Sequence, residues 1–315
     1  MAIIRGRRSF AAVAATISLR NTAAFSVYSS PPPRAIASAQ RPLAQPTAFP
    51  QRTILSKFAM SASSTTSDAD SKVDVASNIA SVRQRLEDAN SSNDRPAGCV
   101  RLVAVSKTKP LELLQAAYES GQRYFGENYA QELMAKSKEM PDDVSWHFIG
   151  PLQSNKAASL VKTVGLKKLA CIETVSTVKL AAKLNRAAET LNEELEEKKK
   201  LGIYIQVNTS GEESKSGLSP DGEVCDFVKQ IFEECPWLSI NGLMTIGAPG
   251  DYSCFDTLVK CRDEVATVLG REPADLELSM GMSGDFEVAV AKGATSVRVG
   301  STIFGQRDYS NLKKQ

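Results

Sequence analysis

At 315 residues, with 42% hydrophobic and 23% charged side chains, the chain has the composition of one large globular domain or two ordinary ones. The net charge of +2 hides a basic leader: residues 1–67 carry eight Arg or Lys and no acid, leaving 30 basic against 36 acidic side chains over 68–315, a net of −6. Such a body has no broad attraction for nucleic acid or an anionic membrane, no run reaches 18 apolar residues, and six cysteines without a CxxC pair, beside a single histidine, argue against a zinc site, an iron–sulfur site or a disulfide scaffold.

The leader comes first. Residues 1–70 are rich in Arg, Ser, Ala and Pro, the composition of an organellar transit peptide or a disordered extension. Arg5, Arg7 and Arg8 precede an apolar run from Phe10 to Leu19, which suits a mitochondrial or plastid address and also a secretory signal feeding a complex plastid. Met60-Ser61-Ala62-Ser63 reads as a cytosolic amino terminus, so a shorter product starting at Met60 is a second expectation.

From 71 to 315 the pattern is that of one domain. Val73, Ile79, Val82 and Leu86 recur at helical spacing and predict an opening helix over 71–90. Short β-like runs then alternate with helical ones. Strands are expected at 100–106, 123–126, 145–150, 168–173, 203–208, 240–246, 276–280 and 296–299. Helices are expected at 110–120, 128–138, 154–164, from Ser176 into the charged run Glu193–Lys200, near 221–234, and at 252–269 and 284–292, with a short terminal turn. Eight β/α units predict a single (β/α)8 TIM barrel. The rival is a doubly wound open sheet, which usually carries a Gly-rich turn after its first strand; here that strand ends in Ser106-Lys107-Thr108.

Strand alternation puts Val103, Val105 and Lys107 on one face, so Lys107 stands at the carboxyl end of strand 1, where barrel chemistry collects. A solvated loop lysine is the plain alternative. Two small-residue bends follow strands 7 and 8: Gly281-Met282-Ser283-Gly284 and Gly300-Ser301-Thr302. Backbone N–H groups in such bends hold phosphate without cationic side chains. A lysine amine facing a phosphate cradle is what holds pyridoxal 5′-phosphate (PLP) as a Schiff base. A Schiff-base lysine must present a neutral amine, and Lys109 is a neighbouring cation that would lower its pKa. Arg298 shares a face with Ser296 and Gly300, aimed at the cofactor ring, where it would keep the pyridine nitrogen unprotonated. The alternative for Arg298 is a pair with Asp285 or Glu287. Literal matches to S-x-x-K, the G-x-S-x-G elbow and a Walker loop all fail on context or spacing.

Val105-Ser106-Lys107-Thr108-Lys109-Pro110 resembles the lysine motif of the pyridoxal-phosphate homeostasis protein family. Phe125-Gly126-Glu127-Asn128-Tyr129, the run from Trp146 to Lys156, the run from Asn208 to Gly217, Gly242-Leu243-Met244, Leu278 to Ser283 and Val297 to Ser301 resemble its further motifs, in the family's order, from about 75 to 309. The resemblance implies a barrel similar to that of alanine racemase and eukaryotic ornithine decarboxylase, PLP as cofactor, and a part in vitamin B6 balance with no established turnover. Carried over by motif, Lys107 bears the Schiff base; Ser283, Gly300 and Ser301 hold the phosphate; Arg298 approaches the ring nitrogen; Asn128 and His147 neighbour the cofactor. His147, between Trp146 and Phe148, also reads as a packed orienting residue.

Two functions follow from different classes. One is a carrier or buffer of PLP that delivers it to PLP-requiring apo-enzymes, expected as a monomer. The other is an amino-acid racemase or decarboxylase. Racemisation needs proton donors on both faces of the α-carbon, and no second, β-rich domain is expected after the last strand to supply one, which favours the carrier. A third reading is a scaffold that has lost its cofactor.

Overall fold

The computed structural model describes residues 73–212 and 215–306 of the chain. The proposed leader, the Met60 start and residues 307–315 lie outside them. Helix α1 (Val75–Ser91) leads into β1 (Arg101–Val105). Then follow α2 (Leu111–Glu119), β2 (Tyr124–Glu127), α3 (Ala130–Glu139), β3 (Ser145–Phe148), α4 (Ala157–Lys168), β4 (Leu169–Val175), α5 (Val178–Glu194), β5 (Leu201–Gln206), α6 (Glu223–Glu234), β6 (Leu238–Met244), α7 (Ser253–Leu269), β7 (Glu277–Ser279), α8 (Phe286–Ala291), β8 (Ser296–Val299) and α9 (Ser301–Phe304).

Sequential strands pair in parallel from β1 to β8, and β1 pairs again with β8, Arg101 opposite Ser296 and Ala104 opposite Val299. The sheet therefore closes, giving the expected (β/α)8 barrel and leaving no edge strand. Leu102 and Ala104 point outward into the apolar shell between strands and helices, with Phe125, Trp146, Phe148, Leu160 and Ile172. Burying each such large side chain contributes about 2–3 kcal/mol. Helix α1 adds a stripe of Val75, Ile79, Val82 and Leu86 against α2, α8 and α9. Among the described residues no helix is long and apolar enough to cross a membrane.

The barrel axis is polar. At its amino-terminal end Arg101 pairs with both carboxylate oxygens of Glu277, and the Tyr204 hydroxyl donates to Glu277 Oε2 at 2.5 Å.

Three differences from the expected elements have local causes. Helix α1 starts at Val75 because the Asp74 side chain caps it, accepting the Ser77 N–H at 3.0 Å. Helix α5 stops at Glu194 and does not run on to Lys200. The Asn192 amide donates to the Lys199 carbonyl and accepts the Lys199 N–H, both at 2.8 Å, which folds the charged run back toward β5. Strands β5 and β6 each begin two residues early, because Leu201 and Leu238 already pair; a two-residue shift leaves every side chain on its expected face.

One close approach fixes the register of β6 against β7. A Cβ at Gly242 would lie 1.9 Å from the Glu277 carbonyl oxygen. Gly242→Ala should therefore cost roughly 3 kcal/mol or more, read as a drop in the denaturant midpoint; a variant as stable as the parent would contradict this packing.

Candidate cofactor site

A cleft of about 250 Å³ opens at the carboxyl end of the barrel, lined by Lys107, Lys109, Ser283, Arg298, Gly300 and Ser301 among others. A larger depression of about 770 Å³ lies at the opposite end, and its cations are engaged: Arg101 with Glu277, Arg123 with Asp143, Arg83 with Gln122. The chemistry gathers in the smaller cleft.

Lys107 leaves β1 on a tight turn. The Lys109 N–H donates to the Ser106 carbonyl at 3.1 Å, and Thr108 between them has φ 60°. A β-branched residue in the left-handed region is strained by about 1–3 kcal/mol. Charged partners offset that strain. The Thr108 N–H donates to Glu132 Oε1 at 2.7 Å, and the Ser106 hydroxyl donates to Glu127 Oε1 at 2.6 Å. Lys136 Nζ donates to the Ser106 carbonyl, Glu127 Oε1 and Glu132 Oε1 at 2.8, 2.8 and 2.6 Å. Burial pushes the Glu127 carboxyl up to about 7, against the opposing pull of Lys136. Its Oε2 is buried with no partner among the described residues.

The two small-residue bends meet as one surface. Gly300 N–H donates to Ser283 Oγ at 3.2 Å, and Arg298 N–H donates to the Gly281 carbonyl at 3.0 Å. Gly281 has φ +90°, and a Cβ there would lie 2.5 Å from Ala289 Cβ. Only glycine lets this bend close over α8. A Cβ at Gly300 would come within 3.2 Å of the Val105 carbonyl oxygen, so the second bend lies directly against the end of the strand that leads into Lys107.

Arg298 forms the floor. Its guanidinium donates to Ser279 Oγ at 2.6 Å and to the Thr245 carbonyl at 2.8 Å, and stands 3.8 Å from Glu173 Oε2. Ser279 Oγ donates to Glu173 Oε2 at 2.6 Å; Glu173 Oε1 faces His147 Nδ1 at 2.6 Å; Cys171 Sγ is 3.1 Å from the same nitrogen. Burial alone would raise the Glu173 carboxyl, but His147, Arg298 and Ser279 hold it below the usual range. Burial lowers Arg298 and raises the Cys171 thiol well above normal. Removing Glu173 would strand a buried cation, a loss of about 3–5 kcal/mol.

A family model, the alanine racemase N-terminal domain, matches residues 75–308. The chain is similar to the pyridoxal phosphate homeostasis protein of Bos taurus, 43% identical over 245 residues that cover 74% of this chain and 87% of the bovine one. The Schizosaccharomyces pombe protein of the same name is 46% identical over 214 residues, covering 66% and 84%. The chain belongs to the pyridoxal phosphate homeostasis protein family. PipY of Synechococcus elongatus, solved with PLP bound, superposes on it with a TM-score of 0.58 at 32% identity, covering 73% of this chain and all of PipY.

Five of the seven residues named from sequence line the cleft of this family member: Lys107, Ser283, Arg298, Gly300 and Ser301. Asn128 and His147 do not line it. His147 is buried in the barrel axis and is linked to the cleft through Glu173, Ser279 and Arg298. Asn128 lies against Gly150, and its Oδ1 is buried with no partner among the described residues. Arg298 takes Glu173 as its carboxylate; Glu287 pairs with Arg85, and Asp285 accepts the Met282 N–H. Sequence reading passed over Glu127, Glu132, Lys136, Glu173, Ser279 and Thr245. Signals existed for some: Glu173 interrupts an apolar strand, and Glu132 and Lys136 stand at i,i+4.

The raised Glu127 carboxyl carries a pH dependence. Its folded pKa, about 7, exceeds the unfolded carboxylate value near 4.5, so folding takes up a proton between them. The contribution is present below about pH 4.5 and lost as pH rises through about 7. Compared with Glu127→Gln, which stays neutral, the parent should lose melting temperature between pH 5 and 8; parallel profiles would contradict this.

Proposed function

We propose that this chain binds PLP through a Schiff base on Lys107 and serves PLP homeostasis as a carrier. The observation that carries the reading is one cleft presenting a lysine amine, a buried guanidinium and two joined small-residue bends. The fit is specific in shape: Gly281 leaves no room for a side chain where its bend closes, Gly300 leaves little, and a Cβ at Gly284 would meet nothing within 4 Å, so the first bend is open above. Relatives at 43% and 46% identity bear the homeostasis name, and PipY holds PLP in a structure that aligns along its whole length.

PLP supplies an aldehyde that condenses reversibly with a primary amine, losing one water. The residues of this chain have distinct tasks. Lys107 offers the amine at the rim, with Lys109 lining the same cleft. Ser283 and Ser301 would offer hydroxyl and backbone donors to the phosphate, and Gly300, whose N–H donates to Ser283 Oγ, would close the bend around it. Arg298, fixed by Ser279, Thr245 and Glu173, would face the ring and, as a cation, would take no proton from the pyridine nitrogen. That placement weakens the electron-sink property on which racemisation and decarboxylation depend. His147 is turned toward Glu173 and offers no base to the cleft. Both facts favour a carrier over an enzyme. Delivery of PLP to apo-enzymes that require it, by a monomer, completes the proposal.

Borohydride reduction of the PLP-loaded protein, followed by peptide mapping, should find the adduct on Lys107, and Lys107→Ala should abolish the absorbance band near the visible edge. An adduct on another lysine would overturn the assignment. Incubation with L-alanine should show no turnover approaching about 1 s⁻¹, the low end of ordinary enzymes; a faster rate would favour the racemase reading. We also propose that residues 1–70 direct the chain to a mitochondrion or plastid. Amino-terminal sequencing of the protein from cells should then begin near residue 70, whereas a Met60 start would indicate the cytosol.

A further inference from the structure

We propose that Glu132 and Lys136 are positioning residues for Lys107: from α3 they hold the turn that aims its amine into the cleft, without contacting the cofactor themselves. This rests on the reading of Lys107 as the PLP lysine. Both backbone neighbours of Lys107 are tied to the pair. On one side the Ser106 carbonyl accepts from Lys136 Nζ at 2.8 Å; on the other the Thr108 N–H donates to Glu132 Oε1 at 2.7 Å. The two side chains bond each other at 2.6 Å, one helical turn apart, so the anchors move as one unit. Glu127 braces the arrangement from β2, accepting from both Ser106 Oγ and Lys136 Nζ.

The backbone explains why such anchors are needed. Thr108 holds φ 60° without being glycine, a conformation that persists only where its surroundings impose it. An N–H bonded to a carboxylate is among the stronger restraints available to it. Released from Glu132, Thr108 returns to negative φ, and that rotation turns the lysine stem away from the Ser283 and Gly300 bends. Neither Glu132 nor Lys136 lines the cleft, so an effect on PLP has to pass through the turn.

The test uses the full chain and three proteins: the parent, Glu132→Ala and Glu132→Gln. Hydrogen exchange on the cofactor-free proteins reads the Thr108 amide directly. Exchange should speed up at least roughly tenfold in Glu132→Ala, the factor expected for losing a bond to a charged acceptor. Half-saturation of the borohydride-trapped Lys107 adduct should need about tenfold more PLP. Glu132→Gln keeps an amide oxygen for the Thr108 N–H and should recover most of both losses. Because Glu132 is partly exposed, the melting temperature should move by only a few degrees. Parental trapping in Glu132→Ala overturns the proposal, as does a Glu132→Gln protein as impaired as Glu132→Ala. Absence of a Lys107 adduct in the parent itself overturns the reading of Lys107, and this proposal with it.

Discussion

The pairing of β1 with β8 is the contact on which the rest of this molecule depends. Lys107 and Gly300 are far apart in the chain, and the closure of the barrel makes them neighbours: Ala104 lies opposite Val299, and the next turns out of the two strands share one rim. Gly300 tightens that relation, since a single Cβ there would press on the Val105 carbonyl oxygen and widen the seam. The strand pair therefore does more than finish a sheet. It sets the distance between the Lys107 side chain and the small-residue bends at Ser283 and Gly300, which on the proposed reading one small aldehyde phosphate would span.

Around that seam the protein places charge in two separate clusters. One, Glu127 with Lys136 and Glu132, lies outside β1 and β2 and governs the backbone on either side of Lys107. The other, running from His147 through Glu173 and Ser279 to Arg298, occupies the barrel axis. Neither is an inexpensive way to stabilise a core, because buried ion pairs recover little more than their desolvation cost. Their value is geometric. Hydrophobic replacements would support the barrel as well, but would leave no fixed guanidinium in the cleft and no acceptor for a strained amide.

Much of this was legible in the sequence because strand periodicity and small-residue bends are local signals. The alternation Val103, Val105, Lys107 put the lysine at the end of its strand, and Gly281 to Gly284 and Gly300 to Ser301 marked the bends that line the same cleft. The charged partners were less legible because each joins elements distant in sequence. The pairing of Arg298 with Glu173 spans the barrel axis, and nothing near position 298 announces it; the nearer acids Asp285 and Glu287 were the natural candidates on proximity in sequence. Thr108 was illegible for another reason. Its left-handed backbone carries no glycine or asparagine to signal it and is imposed by Glu132 from a neighbouring helix. The same holds for α5, whose charged extension reads as helix until the Asn192 amide captures Lys199.

The two clusters also bear on why such a site would carry PLP without working it hard. Carbanion chemistry with this cofactor is helped by a protonated ring nitrogen and needs bases placed on the substrate side. On the proposed reading the group facing the ring would be Arg298, a guanidinium locked by three partners, and the His147 imidazole is held at Glu173 within the axis. Reversible attachment needs less: an amine in reach, a phosphate seat, and a turn that keeps the two aligned. On the proposed reading the cleft would supply those three, with Lys107 as the amine and the bends at Ser283 and Gly300 as the seat. These arrangements are the grounds on which the proposed carrier reading prefers holding and releasing the aldehyde to stabilising carbanions formed on it.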